Sequence, residues 1–162
     1  MKIAPLFLLL LIFAVNANAQ TCKENIEAST PTANFDVHND GTVTDKTTGL
    51  TWKRCAEGQT YQNNDCRGGA QSFTWQQALQ LTQNATFAGF NDWRLPNVNE
   101  LEAIVEDACL DPAINLQIFP SAPSDAFWSS SPDAYYSDDA WLVYFSSATC
   151  TSTLSLIVMP FV

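Results

Sequence analysis

Several groups of residues in this chain have types and spacings that could do chemistry. Arg94 stands between Trp93 and Leu95, two residues expected inside the protein. A guanidinium buried there needs partners, because an unpaired interior charge is very costly. Asp92, Glu100, Glu102 and backbone carbonyls are the neighbours that could supply them. The corner reads either as a ligand-binding site or as a nucleus that locks a helix to a sheet. The second reading is preferred, which makes Trp93, Arg94, Pro96, Asn97 and Glu100 structural. Glu100, Glu102, Glu106 and Asp107 could offer a catalytic carboxylate pair, but a solvated helix face is the default for acids so placed. His38, the single histidine, sits on a turn, so a nucleophile–histidine–acid triad has no starting point. Asp36, His38, Asp40 and Gly41 superficially match a calcium loop, yet Thr47 stands where the bidentate glutamate belongs. Calcium is therefore unsupported and no cofactor is expected. The cysteines lack the short spacing of zinc sites, so no metal is expected either. Tyr135, Tyr136, Asp138 and Asp139 form a polar-aromatic loop whose rings sugars could stack on; they are the expected ligand-binding residues. No nucleophile–base pair or phosphate loop can be placed, and the chain reads as no enzyme.

The elements that must hold these residues follow from local pattern. Residues 1–19 have a positive start at Lys2, an apolar run from Leu6 to Val15 and small residues at Ala17-Asn18-Ala19, as a secretory signal peptide does. Residues 20–34 read as an extended lead-in, and 35–162 as one domain. Without Lys2 the chain holds 6 basic and 17 acidic residues, a net charge of −11. That surface disfavours nucleic acid, anionic lipid and sulfated polymers. Phe35 to Trp52 reads as a small meander turned at His38–Gly41 and Asp45–Gly49. Thr74 with Gln77 opens one helix, and Asn97 with Glu100 opens a second running to about Asp107. Val98, Leu101, Ile104, Val105 and Ala108 give the second helix an apolar face. Asn84-Ala85-Thr86 has the pattern of an N-glycosylation sequon. Phe127–Ser131 and Trp141–Phe145 read as strands. The five tryptophans read for the most part as core residues.

Export permits disulfides. Cys55 and Cys66 bracket a Gly/Asn/Gln/Asp-rich stretch that a bridge would close, and Cys22 with Cys109 would tether the lead-in to the end of the second helix. Cys150 is then left unpaired, free or available to a second chain.

In this order and spacing, the residues resemble the Lcl C-terminal domain family. The matching blocks are Asp40–Asp45, Thr48–Cys55, Thr74–Leu79, Ala88–Asn97 with Glu100-Leu101, Pro112–Asn115 with Phe119-Pro120, Phe127–Ser131 and Ala140-Trp141. The resemblance implies an α+β, C-type-lectin-like fold in exported bacterial proteins: two helices packed on short antiparallel strands and long loops, stabilised by disulfides. Some members of the family act as adhesin ends that bind glycans, including sulfated ones, and some trimerise. The Trp93–Pro96 corner also looks like an element of formylglycine-generating-type proteins, whose catalytic cysteine region has no counterpart here. Members usually end in an arginine-bearing strand, whereas this chain ends Leu154–Val162 without arginine. Either a frameshifted or truncated reading frame or genuine divergence accounts for that. The expected function is a secreted, periplasmic or cell-surface binding module for a glycan or an envelope protein. The alternative is a structural or oligomerising envelope domain without a small ligand.

Overall fold

The computed structural model describes residues 20–135, 139–152 and 156–157, with the backbone alone at 150–152 and 156–157. The expected signal peptide, Tyr136, Asp138 and the last five residues lie outside these, as does the side chain of Cys150. The architecture mixes two helices with several short, mainly antiparallel sheets and two disulfides.

The meander forms where the β-branched residues and turns predict it. β2 (Phe35–Val37), β3 (Thr42–Asp45) and β4 (Thr51–Lys53) pair antiparallel in that order. Asp40 shapes the first turn, its Oδ1 accepting from the backbone N–H and hydroxyl of Thr42. Asp45 shapes the second, accepting from the Thr47 N–H and the Thr48 hydroxyl. β5 (Thr60–Gln62) and β6 (Asp65–Arg67) make a separate hairpin, pinned to β4 by Cys55–Cys66. After β7 (Ser72–Phe73), α1 (Trp75–Thr82) starts with the expected reciprocal cap: the Gln77 N–H donates to Thr74 Oγ1 at 3.3 Å, and the Thr74 N–H donates to Gln77 Oε1 at 2.9 Å.

The main sheet has the order β11-β10-β9-β12-β7, where β9 is Ala126–Pro132, β10 Ala140–Tyr144, β11 Thr149–Ser152 and β12 Leu156–Ile157. Its strands are antiparallel except for β12, which lies parallel to β9. Alternate residues of β9 and β10 enter two different cores. Phe127 and Val143 join Phe35, Val43, Trp52, Leu101, Ile104, Ile114 and Phe119 on one face. Trp128 and Leu142 join Ala78, Trp93 and Leu95 on the other. Both faces are covered, which is why these strands read as apolar runs rather than clean alternations. Trp52, Trp93 and Trp128 are buried as expected, but Trp75 is half-buried and Trp141 is 40% exposed.

Three expectations are corrected. The second helix, α2, spans only Val98–Glu102. The chain leaves it because Val105 bridges to Ile114 and the Glu106 N–H donates to Ala113 O at 3.0 Å, tertiary pairings that outcompete further helical turns. Cys109 consequently lies in a strand, β8 (Cys109–Leu110), rather than at a helix end. Nor is residues 20–34 merely extended. β1 (Thr21–Cys22) pairs with β8, the Cys22–Cys109 disulfide crosses that pair, and a 3-10 turn covers Thr32–Asn34.

Glu106, expected in solvent, is buried at 3% exposure. Its carboxylate accepts from the backbone N–H groups of Ser29, Thr30 and Ala108 and from the Thr30 hydroxyl, at 2.9–3.1 Å. It is the clasp that seats the N-terminal strap. Burial pushes its pKa up, but these hydrogen bonds outweigh burial and hold it below the ordinary glutamate value of 4.5. A depressed folded-state pKa contributes stability that is complete above the unfolded value and lost as pH falls through the folded one. We expect stability to hold above about pH 4.5 and to decline below it, and Glu106→Gln to flatten that decline. Urea midpoints measured between pH 3 and pH 7 test this.

Candidate functional site

The tight turn Phe87-Ala88-Gly89-Phe90 carries one wall of a candidate cleft. Phe87 and Phe90 exchange both backbone hydrogen bonds, at 2.9 and 3.1 Å, across Ala88 (φ 52°) and Gly89 (φ 84°). Two positive φ values in succession are the conformation of a tight hairpin turn, which favours Asn-Gly. Ala88 takes it at a cost of about 1 kcal/mol, because its Cβ crowds the carbonyl. Ala88→Asn should therefore raise stability by about 0.5–1 kcal/mol, read as a higher urea midpoint at unchanged slope.

From this turn Phe87 faces a cleft of about 480 Å³ floored by Gly41. Gly41 has φ +87°, and an added Cβ would lie 3.1 Å from the Tyr61 ring and 3.2 Å from the Phe87 ring. The two half-buried rings thus converge on a backbone that only glycine can supply. Around them stand Asn39, Asp40 and Thr60, which offer amide, carboxylate and hydroxyl groups, and Gln59, whose amide already accepts from the Ala56 N–H and donates to Ser121 O. Hydrogen bonding from the Thr42 hydroxyl holds the Asp40 carboxyl below the ordinary carboxylate value despite some burial, so it is ionised at neutral pH. Lys53 lines the same cleft, with its ammonium 5.1 Å from the Phe87 ring centroid and paired with the Glu57 carboxylate.

Tyr61 is held from behind by Arg54, the buried arginine of this protein at 2% exposure. The guanidinium donates to Ile118 O (2.7 Å), Gln117 O (3.0 Å), the Tyr61 hydroxyl (2.7 Å) and Asn64 Oδ1 (2.8 Å). The Tyr61 hydroxyl in turn donates to Asn64 Oδ1 at 2.7 Å. One side chain therefore ties the meander, the β5–β6 hairpin and the 115–119 loop together, and fixes the ring that forms one wall of the cleft.

The corner expected to hold a buried guanidinium is different. Trp93 and Leu95 are buried, but the Arg94 side chain is 49% exposed. It makes two 2.8 Å bonds to the Glu100 carboxylate and one of 3.1 Å to Leu95 O. Glu100 also accepts from the Asn97 N–H at 2.7 Å, and the Glu100 N–H donates to Asn97 Oδ1 at 3.0 Å. Arg94, Asn97 and Glu100 thus act together as a brace, with Pro96 buried between them. Glu100 is held below its ordinary pKa chiefly by the Arg94 hydrogen bonds.

Of the loop residues expected to bind ligand, Tyr135 is 91% exposed, its N–H donating to Asp133 Oδ1 at 2.7 Å. Asp139 is part-buried, and its carbonyl accepts from the Asp133 N–H at 2.9 Å, which closes the loop. Tyr136 and Asp138 fall outside the described residues. Neither Tyr135 nor Asp139 lines the Gly41 cleft. Gly41, Arg54, Tyr61 and Phe87 carry no sequence signal of a shared site: Gly41 reads as a turn glycine, Tyr61 lies between the paired Cys55 and Cys66, and Phe87 stands ahead of the Trp93 corner. Both expected disulfides form. Among the described residues no group of acids, histidines and cysteines is arranged to hold a metal ion. No described helix is long and apolar enough to cross a membrane.

No curated protein and no solved structure matches the chain. The sequence profile of the Lcl C-terminal domain matches residues 41–156, from the floor of the cleft to the strand that joins β7 to β9. That stretch contains Tyr61, Phe87, the braced corner and both faces of the main sheet, and the chain belongs to the Lcl C-terminal domain family.

Proposed function

We propose that this chain is an exported, non-enzymatic recognition module that binds carbohydrate in the Gly41–Tyr61–Phe87 cleft. The observation that carries this reading is the pair of aromatic rings set on a glycine floor and rimmed by amide, carboxylate and hydroxyl groups. A sugar ring has apolar faces and a hydroxyl edge. A concave site in which two aromatic rings stand among several polar groups matches both. The cation in the cleft is already paired, and the chain is strongly acidic, so uncharged sugars are preferred over sulfated ones. Two disulfides suit an oxidising compartment outside the cytoplasm. A C-type-lectin-like relationship of the fold belongs with this reading, and the Tyr135 loop is a second candidate contact surface.

A glycan array, run with and without calcium, should give hits among neutral glycans. Tyr61→Ala and Phe87→Ala should each weaken binding about tenfold or more, since a stacked aromatic contact of 1–2 kcal/mol corresponds to roughly that factor. An array silent in both conditions would refute the proposal. Exposed Phe90 (49%) and Trp141 (40%) favour a second reading, an oligomerising envelope domain. Light scattering on the oxidised and reduced protein distinguishes it.

A further inference from the structure

The Gly41 cleft does not end at Phe87. A second cleft of about 310 Å³ opens beyond it, lined by Leu81, Asn84, Ala85 and Thr86, and it shares Lys53 and Phe87 with the first. The shared boundary is a fixed one. The Lys53 ammonium lies over the Phe87 ring and is paired with Glu57, whose side chain is only 17% exposed and itself borders the second cleft. Phe87 is set by the tight turn and by edge-to-face contact with Trp93 at 6.0 Å between centroids.

The two clefts also repeat a chemistry. The first combines the Tyr61 and Phe87 rings with the groups of Asn39, Asp40 and Gln59. The second combines the apolar Leu81 and Ala85 with the amide of Asn84 and the hydroxyl of Thr86. Two adjoining clefts that share one aromatic ring, each setting apolar atoms beside hydrogen-bonding groups, fit a ligand that itself repeats. A single sugar would occupy one cleft and leave the other to water. We propose, resting on the carbohydrate reading above, that the site recognises an uncharged oligosaccharide of two or more rings laid across Phe87, rather than a single sugar or a chain end. Asn84 and Thr86 are the residues that read its length. The same two residues form the sequon, so the acceptor asparagine pattern coincides with a contact surface.

Titration calorimetry with the one-ring to six-ring members of the cello-, chito- and xylo-oligosaccharide series tests this. In the series that binds, affinity should rise about tenfold or more between one ring and three, the effect of one or two added polar contacts, and then level off. Asn84→Ala should abolish most of that rise while leaving the one-ring affinity and the thermal midpoint unchanged, because Asn84 is exposed at the end of α1. Tyr61→Ala should weaken every length alike. Equal affinity for one ring and for three, or an Asn84→Ala protein that keeps the full length dependence, overturns the two-cleft proposal and leaves the carbohydrate reading intact. Heparin bound more tightly than every neutral chain overturns the uncharged class. Absence of binding by every member of the three series overturns this proposal; the glycan array decides separately whether the carbohydrate reading falls with it.

Discussion

Trp93→Ala is expected to lower stability by about 4 kcal/mol, the usual cost of deleting a large aromatic from a packed interior. Trp93 is 6% exposed and packs among Ala78, Leu95, Trp128, Ala140 and Leu142. Its indole N–H donates to Phe87 O at 3.1 Å, and its ring meets Phe87 and Phe90 edge-on at 6.0 and 5.9 Å. The substitution leaves a cavity between α1 and the main sheet and removes the support beneath the Phe87–Phe90 turn. For a domain of this size the midpoint of thermal unfolding should fall by on the order of 10 °C. Trp141→Ala is the matched control. With 40% of Trp141 exposed, the same deletion should cost about 1 kcal/mol or less. Equal losses at the two positions would show that the braced corner is not what joins helix to sheet.

Arg54→Leu should cost about 3 kcal/mol and should also weaken the carbohydrate binding proposed for the Gly41 cleft by about the tenfold expected of Tyr61→Ala. Leucine keeps much of the stem's packing and removes a desolvated charge, which moderates the loss. It nevertheless strands the carbonyls of Gln117 and Ile118, which accept from the guanidinium, and an orphaned buried acceptor costs about 1–3 kcal/mol. The Tyr61 hydroxyl and Asn64 lose their common donor, so the Tyr61 ring is no longer held against Gly41. Arg54→Lys separates the two effects. A single ammonium retains the charge but lacks the planar fork that reaches four acceptors in the β5–β6 hairpin and the 115–119 loop. We expect it to recover part of the stability and little of the binding. Chemical denaturation and calorimetry on the same samples read both quantities. Full binding in Arg54→Leu would show that Tyr61 is positioned by other contacts.

The contrast between Arg54 and Arg94 marks how far the chain could be read directly. Both flank aromatic or cystine-bearing core positions, and the sequence pointed to Arg94 as the buried cation. Arg94 does find Glu100, a partner named from the sequence, but it does so at the surface, because Asn97 turns the chain and presents Glu100 outward at the start of α2. Arg54 is enclosed because the 115–119 loop folds over it. Nothing within a few residues of Arg54 encodes that loop. Glu106 repeats the lesson with the opposite sign. As one of several acids after a helix start it looks solvated, and it is buried by a strap more than 70 residues away in sequence.

The amino-acid sequence by itself determined the features whose causes lie within a few residues. Both capping boxes, the meander and its turns, and the Cys55–Cys66 cystine are of this kind. Each depends on a short pattern whose energy is largely local: a side-chain oxygen near an orphan N–H, a glycine at positive φ, alternating apolar residues. Tertiary structure alone decided where α2 stops, which arginine and which glutamate are enclosed, that Trp141 faces water, and that Gly41, Tyr61 and Phe87 share one cleft. Those outcomes are set by contacts between segments far apart in the chain. Such contacts form only when the whole fold closes, because no isolated segment gains enough from them to offset the ordering of its own backbone.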